Sequence, residues 1–420
     1  MPQTFRRVML VLSLVGTTVG ITACNSLLAV ENPGRVTADA LSDPALAPIL
    51  QAAALQSAQC AFNNFAATNG MLSGEYWSAN GFVNNHPWEW RGIIEIQNEP
   101  GSCVGSRTAT SMGYYTPMQQ ARFQLEDQFK RLSSFTDQQV PNRQRMLAET
   151  LIYTGYMYTL LAETMCQLTF DGGPLVTAKE AWTIAEKRFT DGMTIATTIN
   201  EASLLNMARV GRARTRLDMG NATGAATDAA LVPAGYTRVA EFSEQTPSRE
   251  NRFFNLTIRN DYLSVAPAYQ GLTVNGTPDP RVRLVNANRR GADNVTQIWQ
   301  QQKFTGSGAA SQVIASYAEA QLILAESSTG QSALDAINRV RAISSIAPLT
   351  SIPAGETLLS VIIEERRRQL FSEGHRYVDM LRFKIPFPSG VNRKGQTYSS
   401  MTCIPLPFVE TRNNPNLKGG

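Results

Sequence analysis

The stretch EERRRQLFSEGHRYVDMLRF, residues 364–383, sets five arginines, three glutamates and an aspartate among Leu370, Phe371, Tyr377, Val378, Met380, Leu381 and Phe383. Charge at this density inside an apolar pattern restricts the backbone to arrangements in which the charges meet one another. On a helix, Glu365, Gln369 and Glu373 recur at every fourth position and share a face, whereas Leu359, Ile362, Arg366 and Leu370 occupy another. Gly374 then ends the helix as a C-cap, and Arg376, Asp379 and Arg382 line one side of a second, short helix. Carboxylates on the first helix facing guanidiniums on the second predict bidentate ion pairs that fix the angle between them. Glu365, Arg366, Glu373, Arg376, Asp379 and Arg382 are therefore expected to form a structural lock. A glycoside-cleaving acid pair drawn from Glu365, Glu373 and Asp379 would need one raised pKa, and the adjacent arginines keep these acids ionised.

The N-terminus reads as an export signal. Arg6 and Arg7 precede the apolar run 8–15, small residues follow, and then Ile21-Thr22-Ala23-Cys24. The run is too short to span a bilayer comfortably. The last four residues resemble the bacterial lipobox, which predicts a signal peptide over 1–23 and lipid attachment at Cys24, with the acyl chains anchoring the protein to a membrane leaflet. The formal charge of +4 falls to +2 without Arg6 and Arg7, with 36 basic against 34 acidic residues. The basic residues in 364–383 also alternate with matching acids, so nucleic acid is not an expected partner.

Export gives the other cysteines a meaning. Cys60, Cys103, Cys166 and Cys403 are an even set in an oxidising compartment, which predicts two disulfides with three possible pairings. Cys60 with Cys103 and Cys166 with Cys403 are favoured: the first would staple a long loop, and the second would tie the C-terminal tail to a central helix. Neither His86 nor His375 has a neighbouring ligand pair and no two cysteines are closely spaced, so no metal or other cofactor is expected.

Along the chain, a helix-like stretch over about 37–68 precedes a loop-rich region, 69–112, containing NGMLSGEYWSANGFVNNHPWEW. Residues 113–232 read as helices with small and large apolar residues alternating at helical steps, such as Leu147, Leu151, Gly155, Tyr158 and Ala162. The segment from Ala208 to Pro233 resembles a tetratricopeptide helix pair without a clean repeat period. Residues 233–310 form a second loop-rich region in which RFFNLTIR and TQIWQQKF are candidate strands. Helices return over 311–385: SQVIASYAEAQLILAES, then SALDAINRVRAI with a capping-box-like start at Ser332 and Asp335, then the charged helix. The end, CIPLPFVETRNNPNLKGG, is Pro-rich and reads as extended.

YAEAQLILAES, ALDAINRVRA, IIEERRRQLFSEGHRYVDMLRF and CIPLPFVETRNNPNLKGG, in that order over about the last 110 residues, resemble the C-terminal signature of the SusD/RagB family of outer-membrane nutrient-binding lipoproteins. The matching positions are Glu365, Arg366, Arg367, Leu370, Glu373, Gly374, Arg376, Asp379 and Arg382, then Ile404 to Pro407 and Asn414 to Leu417. Gln369 departs from the pattern, which has Glu there, and Met380 replaces Leu. The resemblance implies a mainly α fold after residue 23: a single domain over 24–420 with tetratricopeptide-like helical hairpins, an irregular loop-rich ligand face and minor short strands. It implies a lipid-anchored, surface-facing outer-membrane protein, not an enzyme, that binds oligosaccharides or peptides and passes them to a SusC-type TonB-dependent channel. A lipid-anchored tetratricopeptide-type adaptor is the alternative.

Sugar rings offer C–H faces that stack on flat aromatics, while amides and guanidiniums read hydroxyls. Tyr76, Trp77, Asn80, Trp88, Trp90 and Arg91 fall within one short loop span, and Tyr269 and Trp299 lie in the second loop region. These eight are the candidate ligand-binding residues. The helical stretch 113–232 is the candidate channel-facing surface.

Overall fold

The computed structural model describes residues 40–82, 85–93 and 113–417. The predicted signal peptide, Cys24 and all of residues 94–112, Cys103 among them, lie outside the described residues. One compact unit begins at Ala47; the short segment before it holds two 3-10 turns, Ala40–Ser42 and Pro44–Leu46.

The protein is mainly α. Helix α1 (Ala47–Leu72) starts some ten residues later than its composition suggests and ends four later. A short strand β1 (Tyr76–Ser78) and a single turn of helix α2 (His86–Trp90) follow. The helical stretch is then α3 (Tyr115–Ser134), α4 (Arg143–Thr164), α5 (Ala178–Thr198), α6 (Ala202–Asp218) and α7 (Ala222–Ala229), each packed on the next as antiparallel hairpins. Every residue of α4 from Met146 to Thr164 is buried, which makes it the central helix. Its polar side chains are satisfied internally: Thr154, Thr159 and Thr164 donate to carbonyls four residues back, and Glu163 takes a two-pronged bond from buried Arg214 at 2.6 and 2.7 Å.

Small residues set the hairpin spacing. Phe189 of α5 lies between Gly155 of α4 and Gly211 of α6, where an added Cβ would come within 2.9 and 2.4 Å of its ring. Only glycine at both positions admits the phenyl ring, so three helices close around one side chain.

Four antiparallel two-stranded sheets punctuate the rest. β1 pairs with β3 (Leu263–Val265), and β2 (Thr237–Ala240) pairs with β8 (Gln312–Ser316). A small hairpin joins β4 (Thr273–Val274) to β5 (Thr277–Pro278), and a larger one joins β6 (Leu284–Arg290) to β7 (Gln297–Gln301). QIWQQ is thus a strand, as expected. RFFNLTIR is not: it forms a helical turn, Arg252–Phe254, running into a π turn, Asn255–Arg259. The Asn251 side chain caps that turn by accepting from Phe254 N at 2.9 Å, and this local bond overrides the strand preference of the aromatic and β-branched residues. QVIAS is strand instead of helix, and Ser316 at its end caps α8 (Tyr317–Glu326).

Helix α9 (Gly330–Ile343) begins two residues before Ser332, so the predicted capping box is absent there. α10 (Leu358–Gln369) has one at Thr357 and Ser360. α10 stops at Gln369, five residues short of Gly374, because Ser372 and Gly374 both turn into positive φ, at 66° and 85°. A Cβ on Gly374 would lie 2.9 Å from the Phe65 ring and 3.0 Å from Ala66 Cα, so this turn is pressed onto α1 and only glycine fits. α11 (Arg376–Arg382) follows.

The tail is partly helical, as α12 (Phe408–Asn413). It is tied to the end of α4 by the Cys166–Cys403 disulfide and by backbone bonds from Cys166 N to Ile404 O at 2.9 Å and from Ile404 N to Thr164 O at 2.8 Å. Asn414 Nδ2 donates to Thr169 Oγ1 at 3.1 Å and Gly173 O at 2.7 Å. Cys60 is also disulfide-bonded.

Candidate functional site

The loop-rich face is organised by β1. Its alternation turns Tyr76 and Ser78 inward and leaves Trp77 half-buried. Trp77 pairs with Ser264 of β3, and Ser264 Oγ donates to Gln297 O at 2.8 Å while accepting from Trp299 N at 2.9 Å. Trp77 and Trp299, both half-buried, thereby flank one serine on joined strands. At the rim, Phe82 meets Tyr262 edge-on, with ring centroids 5.1 Å apart.

A segment near the C-terminus holds this face in place. Arg393 lies 4.3 Å from the Trp77 ring centroid. It also donates to Ser78 O at 2.5 Å and Thr296 Oγ1 at 2.7 Å, and it pairs with Glu89. Glu89 in turn accepts from Ser78 N at 2.7 Å. Lys394 reaches Asn80 O at 2.6 Å and Asp293 at 2.8 Å. Burial acts to raise the Asp293 carboxyl, but the bonds from Lys394 and Thr296 outweigh it and hold the group below its ordinary range. Burial lowers the His86 pKa, and the Lys394 charge lowers it further, so the ring is neutral near pH 7.

The eight predicted residues divide. Trp77, Trp90 and Trp299 keep part of their surface open. Tyr76, Asn80, Trp88, Arg91 and Tyr269 are buried and committed internally, so their assignment to a ligand surface is corrected. Tyr76 donates to or accepts from Ser372 Oγ at 2.6 Å and stacks on Phe371. Asn80 bonds Tyr262 O and Phe82 N, both at 2.9 Å. Trp88 packs against Tyr114. Arg91 donates to Pro388 O and Ser399 O, each at 2.7 Å, between the Phe387 and Tyr398 rings. Tyr269 stacks on Phe371 beneath the Arg367 guanidinium. The aromatic density is real, but much of it pins the loops to the core. Arg393 and Lys394 escaped sequence reasoning, since their partners lie some 100 to 315 positions earlier and no local motif marks them. A cavity of about 420 Å³ between α1 and residues 241–249 contains none of the predicted residues.

The charged motif is a lock with a different wiring. Its link between α10 and α11 runs from Arg366 to Asp379, at 2.7 to 3.0 Å through three bonds. The guanidinium is on the first helix and the carboxylate on the second, opposite to the expected polarity. Glu365 turns away to Arg281 and Arg341, and Glu373 binds Lys303 at 2.5 Å. Arg382 pairs with Glu326 of α8 and approaches Asp218 of α6 at 3.5 Å. Arg376 forms no ion pair with any described residue; its nearest role is long-range attraction to buried Glu75. Five of the six residues therefore fasten α10 and α11 to each other, to α6, α8 and α9, and to Arg281 and Lys303 of the second loop region. Each of the three acids is spent on cations.

Comparison with known proteins decides the family. A family model described as the SusD family matches residues 187–418, more than half of the sequence and all of the charged motif. The chain belongs to the SusD family. Among curated proteins none matches it in sequence. Similar solved structures include a SusD superfamily protein from Bacteroides fragilis, 16% identical with a TM-score of 0.66, covering 90% of this chain and 99% of that one. Another is a SusD-like carbohydrate-binding protein from Bacteroides vulgatus, at 13% and 0.62 over 90% and 97%. A third is a surface glycan-binding protein from Bacteroides thetaiotaomicron in complex with laminarihexaose, at 13% and 0.61 over 87% and 98%. At these identities the likeness establishes the SusD fold. Within it, Tyr269, Trp299 and Arg393 lie inside the matched residues, whereas the segment from Tyr76 to Arg91 lies before them. Among the described residues, no helix is long and apolar enough to cross a membrane.

Proposed function

We propose that this protein is an outer-membrane lipoprotein, acylated at Cys24 after removal of residues 1–23, whose remaining chain acts as a single ligand-capturing domain. It binds an oligosaccharide on the loop face and passes it, chemically unchanged, to a SusC-type TonB-dependent channel. The observation that carries this reading is the pair of half-open indoles, Trp77 and Trp299, fixed on either side of Ser264. Flat rings held by a hydrogen-bonded sheet suit stacking against pyranose faces, and Trp90 adds a third half-open indole from α2. The glycan complex of a structurally similar protein supports a sugar over a peptide. The channel would meet the helical stretch 113–232, where Phe123 and Leu175 are 56% and 49% exposed.

Calorimetric titration with laminarihexaose and a panel of other neutral oligosaccharides tests the ligand. Trp77→Ala and Trp299→Ala are each expected to weaken binding about tenfold, the loss of one stacked ring at about 1–1.5 kcal/mol. Binding unaffected by both substitutions would refute this face as the site. Co-purification with an outer-membrane channel from the native membrane tests the partner; recovery of the protein without one would favour the adaptor.

A further inference from the structure

At the base of the β6–β7 hairpin, on the opposite end from Arg290, lies a cavity of about 200 Å³ lined by Pro280, Arg281, Arg283, Gln302, Lys303, Ser344 and Gln369. At ~30 Å³ per water this is room for roughly six waters, enough to admit one sugar ring. Its lining holds three cations and no carboxylate. The acids that balance two of them are buried and do not line it: Asp279 holds Arg281 at 2.8 Å, Glu365 also pairs with Arg281, and Glu373 holds Lys303 at 2.5 Å. Arg283 is exposed and forms no ion pair with any described residue. Lys303 also donates to Gln369 O at 2.8 Å and Phe371 O at 3.0 Å, so the carbonyls at the end of α10 that would repel an anion are already occupied.

Gln369 supplies the second observation. Its side chain is half-buried in the cavity wall and adds a polar amide there without a charge.

We infer that this cavity binds the carboxylate-bearing ring of an acidic sugar, with Arg283 taking the carboxylate and the uncharged Gln369 leaving the positive lining unopposed. The sugar identity rests on the glycan reading above; the anionic character does not.

The test is saturation-transfer and titration NMR on the full chain with D-galacturonate, D-galactose and inorganic phosphate as separate probes. Galacturonate is expected to bind at least about tenfold more tightly than galactose, and Arg283→Gln to remove that preference, as expected for loss of a charge-assisted bond. Gln369→Glu should remove it as well, by placing a negative charge in the lining. Arg283 is exposed, so its variant tests binding without a folding defect. Equal binding of galacturonate and galactose, or a preference that survives both substitutions, would overturn the proposal. Phosphate binding as tightly as galacturonate would overturn the sugar part. Titration of laminarihexaose against wild type and Arg283→Gln reads the indole face separately: failure there with galacturonate binding intact would fault the neutral-glycan reading alone.

Discussion

Replacing Asp379 by Ala should be among the most damaging single changes in this protein that touch no ligand. Arg366 and Asp379 are 4% and 3% exposed, and the carboxylate receives three bonds from one guanidinium. Once it is removed, Arg366 retains as its nearest anion Glu326, 3.8 Å away and already paired with Arg382. A buried guanidinium left in that state costs about 3–5 kcal/mol, because its desolvation is no longer offset. Urea unfolding followed by circular dichroism would show the midpoint falling with little change in slope. The same reasoning predicts that Arg366→Met with Asp379→Leu recovers most of the loss, since an apolar pair of similar volume needs no compensation. The argument would be refuted if Asp379→Ala cost less than about 1 kcal/mol, or if the double variant were no more stable than the single one.

Three further outcomes follow from the coordinates. The Cys166–Cys403 bond closes a sequence separation of 237 residues, so on the chain-entropy account replacing both cysteines by Ser should cost up to about 5 kcal/mol, read as a lowered Tm, with reducing agent lowering the wild-type Tm at least as far because it also opens the Cys60 bond. Gly211→Ala would press a methyl to 2.4 Å from the Phe189 ring, and should lose about 1–3 kcal/mol by overpacking; Phe189→Leu in the same chain should restore part of it. Glu75 is fully buried, and burial, opposed mainly by Arg376, raises its pKa from 4.5 to about 7. Its folded form therefore holds a proton that the unfolded form releases, so its contribution is fully present below about pH 4.5 and is lost as pH rises through about 7. At 1.36 kcal/mol per pKa unit this is about 3 kcal/mol. Glu75→Gln should flatten that part of the stability profile, and an unchanged slope between about pH 5 and about pH 8 would count against it.

The helical half of the fold was legible because it rests on local rules. Small residues at helical steps, Gly155 and Gly211 among them, mark where helices approach, and the spacing of 166 and 403 was consistent with a bond between a helix end and the tail. The candidate site was legible only in composition. Three tryptophans within fourteen residues signal an ordered loop, but whether a ring faces inward depends on partners far away. Trp77 stays half-open because β1 pairs with a strand nearly 190 residues later, and a three-residue strand is too short for its alternation to be read in advance, whereas Trp88 enters the core from α2 against Tyr114. RFFNLTIR failed for the opposite reason: its propensities favour a strand, while a single asparagine before it supplies the cap that makes it helical. The lock's polarity was misjudged because α10 was extended to Gly374, which placed Glu373 on a helix face where it does not lie.

In the proposed site the binding surface is formed largely by residues before 93 and around 299, whereas the side chains that wire it together lie near the C-terminus. The surface segments anchor Tyr76, Trp88 and Ile93 in the hydrophobic core. They are joined by charged bonds from Arg393 and Lys394 to Ser78, Asn80, Glu89, Asp293 and Thr296, and by Arg91 reaching back to the carbonyls of 388 and 399. A stacking surface gains affinity when its rings are immobilised before the ligand arrives, since each side chain ordered on binding costs about 0.5–1.5 kcal/mol. Arg393 beneath the Trp77 ring spares that cost in advance. On the proposed site, Arg393→Ala is expected to weaken oligosaccharide binding in calorimetric titration without removing a ligand contact, because one guanidinium is bonded to β1, α2 and the β6–β7 turn together.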